Sequence, residues 1–263
     1  MIIFYFALIV LAASTLGAMA GVGGGVIIRP AIDAFGYYGD ASVPNLISSF
    51  CVLAVAVTSV TRHAVKKTKF NTSASVLLGI GAAAGGIAGK IVFRLIKERS
   101  DRRVLTLVQS VILILLIAFV ILYVLALKRR FRFEIKNRAA TLAVGLALGF
   151  ISALLGIGGG PINVAVLCLF FGMDMKSASI NSLLIIIFAQ ISNLLTSLAT
   201  GELMSADMNW LHTAILVAVA VGGSLTGTFL NRKLSEKTIS GFYIFTMFVI
   251  IGINLYNIAS CVG

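Results

Sequence analysis

Charge is scarce in this sequence. Only 11% of its residues are Asp, Glu, Lys or Arg, against about 25% in an ordinary soluble domain. With 59% hydrophobic residues and a mean hydropathy of +1.07, that shortage excludes a water-soluble globule and a disordered chain. Acidic residues are the scarcer sign of charge, nine in all against 21 Lys and Arg, and none falls inside an apolar run. Asp33, Asp40, Glu98, Asp101, Glu134, Asp174, Glu202, Asp207 and Glu236 sit at ends or in loops. No carboxylate pair for hydrolysis and no buried proton relay is therefore visible. There are two histidines, His63 and His212, and three scattered cysteines, Cys51, Cys168 and Cys261. No CxxC or Cys/His cluster exists, which argues against a zinc site, a redox motif or a disulfide scaffold. No metal, no cofactor and no enzymatic activity is expected.

What the chain does contain is long apolar runs, at about 2–20, 44–61, 73–93, 104–127, 139–156, 179–199, 210–230 and 238–259. Each is long enough to cross hydrocarbon. Backbone polar groups cannot face lipid unpaired, so these runs must be helices. An all-α polytopic membrane protein with eight spans follows, placed in the cell membrane. The net charge of +12 lies in short basic runs between the apolar segments. None is interleaved with aromatics, so the charge points to the bilayer surface and not to nucleic acid. Lys and Arg divide equally between the two sides and do not orient the spans. The first run ends in Ala18-Met19-Ala20, like a signal-peptidase site, yet no Lys or Arg precedes it. Because the same kind of segment recurs later, it is read as a retained span.

That recurrence organises the chain. Gly21-Val22-Gly23-Gly24-Gly25 returns as Gly156-Ile157-Gly158-Gly159-Gly160, 135 residues later. Asn45 returns as Asn181, Gly85-Gly86 as Gly222-Gly223, and Lys97-Glu98-Arg99-Ser100-Asp101 as Arg232-Lys233-Leu234-Ser235-Glu236, at nearly the same offset. The sequence reads as two homologous four-span repeats, 1–127 and 139–263, joined by a basic loop, 128–138. Four spans per copy would point both copies the same way; a true crossing by the glycine segments would invert them.

In each copy the glycines follow the first span, and a short apolar piece comes next, Val26–Phe35 or Pro161–Phe171. All three prolines, Pro30, Pro44 and Pro161, lie in or just after these regions. Glycine costs about 1 kcal/mol against Ala within a helix, so the helices must break there. Interrupted backbone at membrane depth is tolerated where it lines a cavity or is buried in protein, and paired interruptions in two halves point to a transporter binding site. Neither motif has the G-K-[ST] ending or βαβ context of a nucleotide loop. A tight turn that only lets helices pack is the other reading of the glycines.

The doubled GxGGG after spans one and five, the proline shortly after it and the polar start of the next span resemble the sulfite exporter TauE/SafE family of membrane permeases, over essentially the whole chain. The resemblance implies a plasma-membrane permease for small anions such as sulfite, sulfoacetate and related organosulfur compounds. One departure is Arg29, in Val26-Ile27-Ile28-Arg29-Pro30, where an apolar residue is usual before the proline.

The candidate substrate-binding residues are Gly23, Gly24, Gly25, Arg29, Asn45, Ser48, Ser49, Gly158, Gly159, Gly160, Asn163, Asn181 and Gln190. Glycine N–H groups beside a new helix start cradle an anion. Arg29 either forks onto an oxyanion or snorkels to an interface. Lys90 is expected to snorkel. Ser42, Asn45, Ser48 and Ser49 fall at helical spacing on one stripe, as do Asn181, Gln190, Asn193 and Ser197 on another; they line a cavity or tie helices together. Gly81, Gly85 and Gly89, like Gly223 and Gly227, carry the spacing of small-residue helix packing. The expected function is a secondary permease moving a small anion between the two repeats. The alternative is a non-transporting membrane assembly or scaffold subunit.

Overall fold

The computed structural model describes residues 2–35, 37–38, 42–66, 72–99, 102–127, 133–155 and 158–262. Among the described residues there are helices and no strands. In chain order they are α1 (Ile2–Ala20), α2 (Gly25–Ala34), α3 (Ser42–Val65), α4 (Thr72–Arg99), α5 (Arg102–Leu122), α6 (Arg138–Leu155), α7 (Gly160–Phe170), α8 (Met175–Ala199), the single turn α9 (Glu202–Ser205), α10 (Trp210–Lys233) and α11 (Glu236–Val262). A π-helical turn, Tyr123–Leu127, continues α5. Eight helices are long and apolar enough to span a bilayer: α1, α3, α4, α5, α6, α8, α10 and α11. The protein is a multi-pass, all-α membrane protein. The two short apolar pieces of the sequence are the helices α2 and α7.

Of the basic connection, 128–132 lie outside the described residues, as do Asp40, Ser100, Asp101, Gly156 and Ile157. Residues 133–137 have no regular secondary structure, and the N–H groups of Phe133 and Ile135 donate to the carbonyls of Leu169 and Phe170 at 2.7 and 2.9 Å. Arg138 opens α6 and does not close the connection.

Bare glycine faces set the closest helix contacts. A β-carbon on Gly81, Gly85 or Gly89 of α4 would strike the backbone of Leu142, Leu146 or Phe150 on α6. Gly145 and Gly149 of α6 return the contact against Leu78 and Ala82. Gly223 and Gly227 of α10 meet Leu11 and Thr15 of α1 in the same manner. In lipid, where tails are as apolar as Leu, such close backbone approach is a main source of helix association. The third span of each half thus packs on the first span of the other. Span α3 is the most enclosed, 61% buried against 33% for α4, α5, α6 and α11. Outward-facing side chains such as Ile80, Ile91, Leu115, Phe119, Phe245 and Phe248 stay exposed on the lipid side.

The register of these contacts fixes chain direction. Along α4, the residues 81, 85 and 89 meet progressively later residues of α6. Ser75, Ala83 and Lys90 likewise meet Asn181, Ser192 and Ser197 of α8. Hence α4, α6 and α8 run the same way. On the other side, Ser224 and Thr228 of α10 bond Val55 and Ser59 of α3, and Gly223 and Gly227 advance along α1. Hence α1, α3 and α10 share the opposite direction, because Gly23 and Asn193 show that α3 and α8 cross antiparallel: Gly23 faces both Val52 and Ile186, and Asn193 bonds Ser49. A span, a reversal through a short helix and a second span of the same direction occur once in each half. The glycine segments therefore do turn the chain back, and the two halves lie in opposite orientation.

Candidate functional site

The first break begins where α1 ends. Gly21 takes φ +77°, a left-handed conformation that closes a helix. The N–H groups of Val22 and Gly23 both donate to the Gly17 carbonyl, at 2.9 and 3.1 Å. Gly24 then caps α2 with φ 83° and ψ −18°, and no side chain caps it. Gly159 caps α7 with nearly the same angles, φ 81° and ψ −15°, again without a side-chain cap. Both short helices therefore start at a left-handed glycine, and their first N–H groups have no partner inside the helix.

The breaks sit at mid-depth. Gly23 lies between Val52 and Ile186, which fall near the middles of α3 and α8. From there α2 runs toward the start of α1, where Phe35 meets Phe6 edge-on at 5.4 Å. Helix α7 runs the other way, to the start of α6, where Phe170 stacks on Phe133 at 6.0 Å. The two half-helices thus meet at their N-termini and depart to opposite sides. A β-carbon on Gly160 would collide with the Val22 carbonyl. Ser182 of α8 donates to the Gly21 carbonyl at 2.8 Å and lies 3.5 Å from that of Gly160. Ser48 of α3 reaches the Gly25 carbonyl at 3.5 Å. Each N-terminus carries about half a positive charge from its aligned peptides, so two such ends converge with no carboxylate between them among the contacts described.

Side chains differ between the breaks. Gly23 and Gly25 face Val52, and Gly23 also faces Ile186. Gly158 faces the Gln190 amide, and Gly159 faces the Ser152 hydroxyl and the Asn163 amide. Gln190, Ser152 and Asn163 are all buried. Among the described residues the Gln190 Oε1 and the Ser152 hydroxyl have no hydrogen-bond partner, and neither has the Ser14 hydroxyl on α1, whose β-carbon faces Gly223. Tyr243 of α11, fully buried, anchors the second break by donating its hydroxyl to the Pro161 carbonyl.

Other candidates stand apart. Asn181 ties helices together: its Oδ1 accepts from Ser75 at 2.6 Å and its Nδ2 donates to the Ser177 carbonyl at 2.7 Å. The carbonyl of Asn45 accepts from Ser49 at 2.8 Å, and Ser49 accepts in turn from Asn193 at 2.8 Å. Ser48 and Ser49, neighbours on the polar stripe, thus serve different partners. Arg29 lies one turn into α2, with its Nε 3.9 Å from the Asp33 carboxylate. A shallow depression of about 370 Å³ is lined by Ser73, Val76, Leu77, Ile80 and Arg138, none of them from a break.

Lys90 corrects an expectation. Its ammonium does not snorkel alone; it pairs with the Glu202 carboxylate at 2.8 Å, donates to Asn193 at 3.2 Å and to Ser197 as well. Ser197 also donates to Glu202 at 2.9 Å. Glu202 follows span six in sequence, and the single turn α9 folds it back onto the bundle. Sequence reading also passed over Ser152, Ser182 and Asn231. Asn231 joins Met19 of α1 to Ser179 of α8. A hydroxyl in an apolar run carries no spacing signal of its own.

No solved structure matches this chain. It is 25% identical over 250 residues, 87% of its own length and 88% of the relative's, to a probable membrane transporter protein, YunE, of Bacillus subtilis (strain 168). The sequence also matches the family described as sulfite exporter TauE/SafE across residues 6–255. With that match spanning nearly the entire chain, the protein belongs to the sulfite exporter TauE/SafE family of membrane transporters.

Proposed function

We propose that this membrane transporter is a secondary permease for a small anion, sulfite or an organosulfonate among the class to be tested, and that the anion passes between two inverted repeats at the facing glycine breaks. One observation carries the reading: the half-helices α2 and α7 point their N-termini at each other near mid-depth. Stripping water from an anion costs many kcal/mol unless preplaced donors replace it. Two uncapped N-termini supply such donors from the backbone, with no side-chain entropy to lose. They supply partial charge only, which favours release as well as binding. Inverted repeats with broken helices at the midplane are a recurring transporter plan, in which half-helix N-termini address anionic groups. In this reading Gly23, Gly24, Gly25, Gly158, Gly159 and Gly160 form the cradle. Asn163, Gln190 and Ser48 border it. Arg29 is a nearby countercharge, moderated by Asp33.

The test is uptake and efflux in reconstituted vesicles with sulfite, sulfonates, thiosulfate and small carboxylates. Anion movement that Gly24→Val and Gly159→Val abolish is the expected result, since both sites have positive φ and no room for a side chain. Movement of a metal ion or an amine, with every anion ignored, overturns it. The scaffold reading draws on the tight contact of Gly160 with Val22; it predicts no flux of any solute.

A further inference from the structure

The second break holds more than donors. A helix N-terminus offers only N–H groups to a ligand, and Gly160 and Ile162 supply them at the start of α7, Pro161 having none. Beside them stands Gln190, 5% exposed, with a carbonyl oxygen that no group among the described residues satisfies. Ser152, 6% exposed, contributes a hydroxyl that is likewise unpartnered. Both are aimed at the turn: a β-carbon on Gly158 would lie 2.9 Å from the Gln190 amide nitrogen, and one on Gly159 would lie 2.7 Å from the Ser152 oxygen. The Asn163 amide closes the same side at 3.2 Å. A primary amide has both a donor and an acceptor end. The nitrogen end of the Gln190 amide lies against Gly158, and the oxygen of the same amide, buried and without a partner among the described residues, is the acceptor that stands beside these donors.

A buried acceptor needs a proton to bind. A fully deprotonated oxyanion brings only lone pairs to it, which repel the Gln190 oxygen. A singly charged oxyanion that keeps one hydroxyl group satisfies both halves of the site: its bare oxygens accept from the N–H groups of α7, from Ser152 and from Asn163, and its O–H donates to Gln190. We infer that the ligand of the second break is such a hydrogen-bearing monoanion, a class that includes hydrogen sulfite and hydrogen carbonate, and that Gln190 is the residue that reads the proton. This rests on the permease reading and narrows it. The first break lacks the arrangement, because Val52 and Ile186 face Gly23 where Gln190 faces Gly158.

The experiment compares ligands of equal charge on the purified full-length protein in detergent, by calorimetric titration at mildly acidic pH. Hydrogen sulfite and hydrogen carbonate carry an O–H; methanesulfonate and nitrate do not. The wild type should bind the first pair about tenfold or more tightly than the second, the scale expected for one satisfied against one unsatisfied buried hydrogen-bonding group. Gln190→Leu should bring the two pairs to within about threefold of each other, chiefly by weakening the first. Gln190→Asn, which draws the acceptor back by one methylene, reads the same ratio if the leucine variant does not fold. Equal binding of methanesulfonate and hydrogen sulfite by the wild type overturns the inference but leaves the permease reading in place. A preference that survives in both variants overturns the role of Gln190. Binding of no anion at all removes the permease reading and this inference with it.

Discussion

Ser182 donates its hydroxyl to the Gly21 carbonyl at 2.8 Å, joining residues 161 positions apart. The same oxygen lies 3.5 Å from the Gly160 carbonyl, so one hydroxyl of α8 touches both breaks. Everything at that point is buried, and the hydroxyl is the polar partner that keeps the Gly21 carbonyl from facing apolar side chains. Two half-helices that must meet end to end in a bilayer need such a fixed point.

Ser182→Ala should therefore destabilise the protein by about 1–3 kcal/mol, the cost of leaving a buried carbonyl unpaired. Ser48→Ala, removing a longer contact of 3.5 Å to Gly25, should cost clearly less. Thermal unfolding in one detergent, run on both variants, checks the order. Equal effects, or a larger loss for Ser48→Ala, would show that Ser182 is not the fixed point.

Adjacent glycines on α4 make a second comparison. A β-carbon on Gly85 collides with the Leu146 backbone, whereas one on Gly86 meets nothing within 4 Å. Gly85→Ala should lower the melting temperature because α4 must move off α6. Gly86→Ala should leave it unchanged or raise it, since Ala favours helix over Gly by about 1 kcal/mol. The pair is matched in composition and position, so only packing separates them.

How much of this was legible in the sequence follows from the kind of signal each feature leaves. The eight spans were, because apolar length is a local property. The facing glycine motifs were, because two copies of Gly-x-Gly-Gly-Gly advertise themselves. The reversal at each break was open, since a ten-residue, mostly apolar piece such as Gly25–Ala34 fits a turn or a half-helix equally well; the contact register decided it. Lys90 was misjudged because its partner, Glu202, is 112 positions away and looks like a loop residue until α9 folds it back. Asn181 showed its polarity but not its partner: Ser75 lies on another helix. Pairings between distant helices leave no spacing for a single sequence to show.

That misjudged pair yields a third prediction. Lys90 and Glu202 have side-chain exposures of 21% and 25%, shielded enough for the pair to matter and open enough to discount a full buried-ion value. Replacing Lys90 by Met and Glu202 by Gln, singly and together, should give a coupling of roughly 0.5–3 kcal/mol in a double-mutant cycle. Either single change also disturbs Ser197, which donates to Glu202 and receives from Lys90. A snorkelling lysine would give additive effects. Coupling near zero in thermal unfolding would restore that simpler view of Lys90.

The start of α8 supplies a pH test. Asp174 caps the helix: one carboxylate oxygen accepts from the Ser177 N–H at 2.9 Å and the other from its hydroxyl at 2.6 Å. Burial alone would raise its pKa, but the bonds from Ser177 and neighbouring N–H groups outweigh it and hold the carboxyl below its ordinary value. The group is ionised more readily folded than unfolded. Its contribution is therefore fully present above the ordinary carboxylate pKa and is lost as pH falls through the depressed folded value. Glu236 satisfies the neighbouring Met175 N–H at 3.1 Å, so the first turn of α8 is held by two carboxylates from different segments. Loss of either loosens the turn that carries Ser179, which packs on Gly21. Asp174→Ala should cost about 1 kcal/mol at neutral pH. Asp174→Asn keeps a capping oxygen and should cost less there, while flattening the acid side of the stability profile. Unfolding followed from neutral to strongly acidic pH measures both. If the asparagine variant loses stability on acidification as steeply as the wild type, the acid sensitivity belongs to other carboxylates and the cap is merely structural.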